Sequence, residues 1–179
     1  LVIKKIYKSK LINKIMIFSN DQNITKSVTK LNQIQKISTY SRSKKSEKDE
    51  ASTEVLLKEI SLKFNFDIAV LLQITNPFIT AKIIDKALTM FIKDGYDSML
   101  SAVPMRSFIW EKKKNTAIPK NYKINKRPRS QNINDYYLEN GSFYIYKKNS
   151  FLKNKNRLGG KIGIYEMKKE SIFELDDYN

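Results

Sequence analysis

The sequence predicts an α/β protein with a mostly parallel sheet, on three observations. Short apolar runs alternate with stretches of helical spacing through residues 14–103, the order that folds as strand, crossover helix, parallel strand. The clearest run, residues 67–73, is continuously apolar rather than alternating, as suits a strand covered on both faces. Thr80 before one helical stretch and Asp94-Gly95 after it supply the capping chemistry a helix needs at each end. The chain has 179 residues, which suits one domain with a sizeable core.

Residues 1–10 carry apolar side chains at 2, 3 and 6, the tail of an amphipathic helix. Lys14-Ile-Met-Ile-Phe-Ser19 reads as a strand running into a Ser-Asn-Asp turn. Residues 24–34 space apolar groups at 24, 28, 31 and 34, a helical period, and residues 37–40 form a short strand. Residues 41–50 hold no apolar side chain and read as a charged loop. Residues 51–64 return to helix, with Val55, Leu56, Ile60 and Leu62 expected inward and Asp49 or Ser52 as the cap. After the strand at 67–73, the helix over 81–93 turns Ile83, Ile84, Ala87, Leu88 and Phe91 to the core, and residues 98–103 form the next strand. Beyond Pro104 the pattern changes. Residues 106–138 are polar, basic and poorly periodic, with Pro119 and Pro128. Residues 141–147 alternate around aromatics as a strand does, and residues 157–167 hold a Gly-Gly pair between two short strand-like pieces. Residues 171–177 read as a last strand, and no internal repeat is present.

Composition excludes much chemistry. Without cysteine there are no disulfides and no thiolate metal sites, and without histidine the commonest general base and zinc ligand are gone. Catalysis must therefore use carboxylates, lysines, arginines, hydroxyls or a hard metal ion. The net charge of +16 favours an anionic partner, whether nucleic acid, membrane surface or phosphorylated small molecule. Yet the lysines scatter along a chain rich in Lys, Asn and Ile throughout, so the charge also reads as background. The longest apolar run, residues 68–72, is far too short to span a bilayer, and no signal-peptide pattern opens the chain. The expectation is a cytoplasmic protein without a membrane partner.

In an open parallel sheet, ligands bind beyond the carboxyl ends of the strands. Gln73-Ile-Thr-Asn-Pro-Phe78 stands at such an end, with Pro77 forcing the exit. Gln73 either faces a ligand crevice or is satisfied by nearby backbone. Glu174 and Asp176, two apart on a strand, point the same way and repel unless a cation sits between them. Magnesium or manganese suits such oxygen ligands and would bridge them to a nucleotide's phosphates; a solvated strand face is the plainer alternative. No G-x-x-x-x-G-K-[ST] or G-x-G-x-x-G loop is present, and Gly159-Gly160-Lys161 resembles neither. A second class of function is a basic nucleic-acid-binding module, using the lysines near 112–114 and 120–129 with Tyr122, Tyr136 and Tyr137 for stacking. The diffuse charge and the lack of any nucleic-acid motif count against it.

Seven stretches, in order, resemble the CMP-sialic acid synthetases (acylneuraminate cytidylyltransferases) and their legionaminic-type relatives. Lys14-Ile-Met-Ile-Phe-Ser-Asn-Asp21 resembles a V-V-V-S-T-D strand, and Arg42 with Asp49-Glu-Ala-Ser-Thr53 resembles R-P-x-x-L-A-x-D-x-A-S-T. Residues 67–87 resemble D-V-V-V-L-L-Q-P-T-S-P-L-R-T-x-x-D-I-D-x-A. Arg127-Pro-Arg-Ser-Gln131 and Glu139-Asn-Gly-Ser-Phe-Tyr-Ile145 resemble R-x-R-R-Q and E-N-G-A-I-Y-I. Arg157-Leu-Gly-Gly-Lys-Ile-Gly163 and Glu174-Leu-Asp176 complete the series.

The resemblance implies a Rossmann-like three-layer nucleotide-diphospho-sugar transferase fold. It also implies transfer of CMP from CTP to a nine-carbon 2-keto sugar acid, with release of pyrophosphate. A sister enzyme acting on an eight-carbon keto sugar acid is the near alternative. Residue by residue, similarity places Arg42, Ser52 and Thr53 near the nucleotide. Gln73, Arg129 and Tyr144 would line the sugar pocket, Arg129 offering its fork to the carboxylate. Glu174 and Asp176 would hold magnesium (or manganese), and Asp176 and Arg129 would be the catalytic pair. Residues 106–138 fall where family members carry dimer-forming structure, so a homodimer is expected. The departures are specific. The family's first strand and its phosphate-cradling loop would precede Leu1, and a final helix would follow Asn179, so residues 1–179 read as a single domain truncated at both ends. Ile79 stands where the family has an arginine, and Ile74 and Asn76 replace Pro and Ser. Little turnover is expected from residues 1–179 alone.

Overall fold

The computed structural model describes residues 2–29, 36–48, 50–133 and 136–173. It opens with α1 (Val2–Ile6), β1 (Ile15–Phe18), α2 (Gln22–Thr29) and β2 (Ile37–Tyr40). Next come α3 (Thr53–Lys63), β3 (Ile68–Leu72), α4 (Ala81–Lys93) and β4 (Ser98–Met105). A hairpin of β5 (Trp110–Lys113) and β6 (Thr116–Pro119) follows, then two 3₁₀ turns, Ile124–Lys126 and Ser130–Asn132. The chain continues through β7 (Tyr136–Lys147), α5 (Lys148–Asn154), β8 (Ile162–Glu166) and a 3₁₀ turn, Lys169–Ile172.

The expected α/β class holds, with a sheet that is mixed. Its four strands run in the order β3-β7-β4-β8. β8 lies parallel to β4, whereas β7 is antiparallel to both neighbours. Three of the four strands therefore share a direction, and β7 lies reversed between β3 and β4. β1 and β2 pair in parallel as a separate ribbon.

Side-chain alternation along β3 shows the three layers. Ile68, Val70 and Leu72 pack into the main core with Val2 and Ile6 of α1, Ile84, Leu88 and Phe91 of α4, and Phe143 and Ile145 of β7. Ala69 and Leu71 face the other way, onto Leu57 and Ile60 of α3, Tyr146, and Phe151 of α5. Helices thus cover both faces. The α4 expectation holds in full: Thr80 Oγ1 accepts from the Ile83 N–H at 3.3 Å, Ile84, Ala87, Leu88 and Phe91 are buried, and Gly95 takes φ +66°. Asp85 on α4 anchors the chain after α1, accepting from the Lys10 and Leu11 amides at 3.0 and 3.2 Å and from the Ser9 hydroxyl.

Several expectations are corrected. In α3 the buried positions are Leu57 and Ser61, one turn apart, while Leu62 is 70% exposed. Ser61 reaches the core because its hydroxyl is satisfied by the Leu57 carbonyl at 2.7 Å, so polarity did not predict exposure. Ser52 stands at the N-cap without a side-chain cap bond, and Asp49 lies outside the described residues. β3 is half-buried along its length, since among the described residues it pairs only with β7. Residues 106–138 contain the β5–β6 hairpin and the first residues of β7, and α5 and the 169–172 turn were not anticipated. Only one strand, β8, forms in residues 157–167. The expected helix over 24–34 is found as far as Thr29; residues 30–35 lie outside the described set.

Candidate active site

The chain's own topology brings chemistry to the carboxyl edge of β3. α3 precedes β3 and crosses back over it, so the first turn of α3 lies near the end of β3. β7 runs the other way, so its first half enters at the same edge. Tyr144 of β7 stands opposite Leu71 of β3 and Leu100 of β4. It is 4% exposed, and its hydroxyl donates to Glu139 Oε1. The Arg157 guanidinium lies over the Tyr144 ring, 4.4 Å from its centroid. From there Arg157 Nη1 reaches Glu54 Oε1 in the first turn of α3, at 2.6 Å. Both side chains of that pair are about three-quarters buried, at 23% and 24% exposure, so the bond is screened far less than a surface pair. Burial, with the hydrogen bond to Glu139, pushes the Tyr144 hydroxyl up to about 12, against the opposing pull of Arg157. Tyr144 is neutral at physiological pH and acts as a donor.

The loop that carries Arg157 is fixed by its backbone. α5 ends at Lys155 in the left-handed region, φ 55°, with its amide on the Phe151 carbonyl at 2.7 Å. Asn156 Oδ1 accepts from the Leu158 amide at 2.8 Å. A Cβ on Gly159 would lie 2.6 Å from the Asn154 side chain, and one on Gly160, at φ +67°, would lie 2.6 Å from Asp97. The two glycines serve close packing, which answers why Gly159-Gly160-Lys161 matches no phosphate loop. Asp97 in turn accepts from the Lys161 amide and from Lys147 Nζ, each at 3.0 Å, and these contacts hold its carboxyl below the usual range.

Beneath the edge runs a buried polar network. Asn140 Nδ2 donates to Ser171 Oγ at 2.8 Å, and its Oδ1 lies 2.7 Å from the Ser101 hydroxyl. Ser101 Oγ also accepts from the Phe143 amide at 3.0 Å, where the β4–β7 register shifts between Leu100 and Ala102. Asn76 Nδ2 donates to the Ser171 carbonyl at 2.8 Å and its Oδ1 accepts from the Phe78 amide at 3.1 Å. The loop after β3 and the turn at 169–172 are thereby joined. Among the described residues, three buried side-chain polar atoms have no hydrogen-bond partner: Arg42 Nε, Arg157 Nε and Ser142 Oγ.

The predicted site residues divide accordingly. Gln73 is exposed just past the end of β3, its backbone amide on the Ser142 carbonyl at 3.1 Å, so it continues the β7 pairing toward the edge. Tyr144 lies two residues along β7 from Ser142, but beneath Arg157 rather than open to solvent. Ser52 and Thr53 are exposed and adjoin Glu54. Arg42 is turned into its own loop, its guanidinium on the Ser46 carbonyl, while Ser43 and Ser46 bond the Glu59 carboxylate at 2.7 and 3.0 Å. Arg129 is exposed at the start of the 130–132 turn and is not joined to the Tyr144 cluster. Glu174 and Asp176 lie outside the described residues. Among the described residues no three acidic side chains gather as a metal site. Ile79 is fully buried in the main core, so at this position the side chain packs under α4 instead of reaching the edge. Glu54, and a role for Arg157, escaped the sequence reading: one amid surface-like charges, the other in a glycine turn, at a sequence separation of 103.

The comparison with protein families decides the identity. A family model described as Cytidylyltransferase matches residues 1–178. The chain belongs to the cytidylyltransferase family. It is 31% identical over 142 residues to N-acylneuraminate cytidylyltransferase A of Danio rerio, covering 76% of this chain and 33% of that one. With the N-acylneuraminate cytidylyltransferase of Oncorhynchus mykiss the identity is 32%, over 76% and 32%. The chain thus spans about a third of the length of these relatives. Among solved structures it resembles a 4-diphosphocytidyl-2C-methyl-D-erythritol synthase from Anaerococcus prevotii, with a TM-score of 0.65 at 10% identity, over 99% of this chain and 79% of that one. It also resembles a protein assigned as a glucose-1-phosphate thymidylyltransferase from Bacillus anthracis, at 0.53 and 15%, over 88% and 69%. These likenesses show the nucleotidyltransferase fold. No helix among the described residues is long and apolar enough to cross a membrane.

Proposed function

We propose that this cytidylyltransferase-family chain transfers CMP from CTP to a nine-carbon 2-keto sugar acid of the N-acylneuraminate or legionaminate type. The observation that carries the reading is the edge cluster of Glu54, Arg157, Tyr144 and Glu139 beside Gln73, in a chain about a third identical to two N-acylneuraminate cytidylyltransferases. In the reaction the hydroxyl on the sugar's anomeric carbon attacks the α-phosphate in line. A new O–P bond forms, the bond to the β-phosphate breaks, pyrophosphate leaves with the electron pair, and the hydroxyl proton is released. Such a transfer needs positioning and charge neutralisation more than a nucleophilic side chain, consistent with a chain that lacks His and Cys.

Arg42, Ser52 and Thr53 stand on the nucleotide side, and Gln73, Arg129 and Tyr144 on the sugar side. Asp176 and Arg129 are the proposed catalytic residues. Glu174 and Asp176 would hold magnesium, which when bound neutralises phosphate charge. Ser171, bonded to Asn76 and Asn140, supports this, because it fixes the chain three residues before Glu174 next to the loop after Gln73. A homodimer through residues 106–138 goes with the same reading. There the β5–β6 hairpin exposes Trp110 and Ile118.

The test is calorimetric titration of the chain with CTP, UTP, ATP and GTP in magnesium, followed by incubation with nine- and eight-carbon keto sugar acids and detection of CMP-sugar and pyrophosphate. Preference for CTP is expected, with at most a low yield of CMP-sugar, formed from a nine-carbon acid. Equal affinity for all four nucleotides would overturn the reading, and product only from an eight-carbon acid would transfer it to the sister activity.

A further inference from the structure

We infer that the cleft between α4 and the segment after α1 docks an acidic peptide segment of another protein, one that carries apolar side chains among its carboxylates. The cleft is separate from the transfer site. It lies on the outer side of α4, whose inner side packs with Ile68, Val70 and Leu72, whereas Tyr144 stands opposite Leu71, which faces α3. It measures about 740 Å³. Lys82, Lys86 and Lys93 line it from α4, at i, i+4 and i+11, a spacing that keeps them on one side of the helix. Lys8 and Lys10 close in from the other wall, and all five side chains are exposed.

The five ammonium groups are left over from the fold's own bonding. Among the described residues none of them makes an ion pair or a hydrogen bond, and Lys8 lies only near the Tyr7 ring, 5.9 Å from its centroid. Lysines close by are engaged instead: Lys5 Nζ donates to the Pro77 carbonyl at 2.7 Å and Lys36 Nζ to the Ser9 carbonyl at 2.9 Å. Asp85 does not pair with the five. Its oxygens accept from the Ser9 hydroxyl and the Lys10 and Leu11 amides, bonds that hold the second wall against α4. Asp94 is the other acid in the lining, so five cations face two anions.

The rest of the lining narrows the partner. Ala81, Met90 and the lysine stems supply apolar surface between the charges, which suits a leucine set among carboxylates. From Lys82 to Lys93 the helix rises about 17 Å, the reach of about five extended residues. A nucleic-acid backbone would meet the charge, but the lining holds no aromatic ring to stack a base and no Arg, Asn or Gln to read one. A flat anionic membrane does not enter a cleft walled by Lys8 and Lys10. A second copy of a chain with net charge +16 would bring repulsion to it.

The experiment follows the fluorescence anisotropy of a labelled peptide, Glu-Glu-Asp-Leu-Glu-Glu-Asp-Leu-Glu-Glu, titrated with the 179-residue chain at low and physiological salt. Two double variants each remove one wall: Lys86→Gln with Lys93→Gln, and Lys8→Gln with Lys10→Gln. Lys58→Gln with Lys153→Gln, exposed on α3 and α5, is the charge-matched control. Circular dichroism checks each fold, and if one cleft pair does not fold the other decides. Each cleft pair should weaken peptide binding by about fivefold or more, and the control pair by less than about twofold. Replacing both peptide leucines by serine should weaken binding by about threefold or more. Rising salt should weaken binding to the wild-type and control chains alike. An equal loss in the control pair means that only background charge is at work, which overturns the inference, and so does indifference to the leucines. Oligothymidylate and vesicles of phosphatidylserine with phosphatidylcholine are titrated alongside. If either binds more tightly than the peptide and loses affinity with the cleft pairs, the cleft serves nucleic acid or membrane and the inference is wrong. A peptide that does not bind the wild-type chain defeats it outright.

Discussion

Tyr144 shows how a single side chain changes meaning between sequence and structure. As one tyrosine among ten it reads as a pocket lining; in the fold it is a neutral donor held under a cation. Its hydroxyl is raised from 10.0 to about 12, first by burial and then by Glu139. The folded state therefore holds this proton more tightly than the unfolded chain does. The resulting stability is fully present below pH 10 and is lost as pH rises from 10 through about 12. Arg157 opposes the shift, so Arg157→Gln should move the Tyr144 midpoint higher. The measurement is ultraviolet tyrosinate titration, with Tyr144→Phe as the difference reference. A midpoint that falls, or stays where it was, contradicts the stacked geometry. Ile79 makes the converse point: a position where the family carries a cation is here an apolar side chain with no exposed surface.

At the scale of elements, the glycine turns distinguish conformational need from close packing. Gly95 and Gly160 share nearly the same positive φ, +66° and +67°. A Cβ at Gly95 would meet nothing within 4 Å, while one at Gly160 would strike Asp97 at 2.6 Å. Gly95→Ala should then cost about 1 kcal/mol, the backbone strain alone. Gly160→Ala should cost about 2 kcal/mol or more, because Asp97 must move and its bonds to Lys147 and the Lys161 amide weaken. Denaturant midpoints measured side by side check this, and equal losses would show that the 159–161 turn is not pressed against Asp97. The same elements explain what was legible. Helix α4 could be read because cap, apolar spacing and terminal glycine all agree. Helix α5 could not, since in Lys148–Asn154 only Phe151 is buried and six polar or half-exposed neighbours mask the period.

Across the whole molecule, the buried amides tie distant segments into one edge. Asn140 links β4, β7 and the 169–172 turn, and Asn76 links that turn to the loop after β3, a sequence separation of 95 residues. Asn140→Ala should destabilise by about 2–3 kcal/mol, since Ser101 and Ser171 each lose a buried partner. Hydrogen exchange should show the largest loss of protection at residues 169–173; a uniform, small loss across the sheet would mean the turn is held by other contacts. Local pattern was enough to determine the α/β class, the positions of β1, β2, β3, α4 and β4, the exclusion of His and Cys chemistry, and the resemblance that the family match bears out. Those are properties of short stretches, where periodicity and caps act within a turn or two. Only the tertiary structure decided that β7 runs reversed between β3 and β4, that Ser61 is inside and Leu62 outside, and that Glu54 meets Arg157 over Tyr144. Each of these depends on which surfaces the folded chain brings together, and no window of neighbouring residues carries that information.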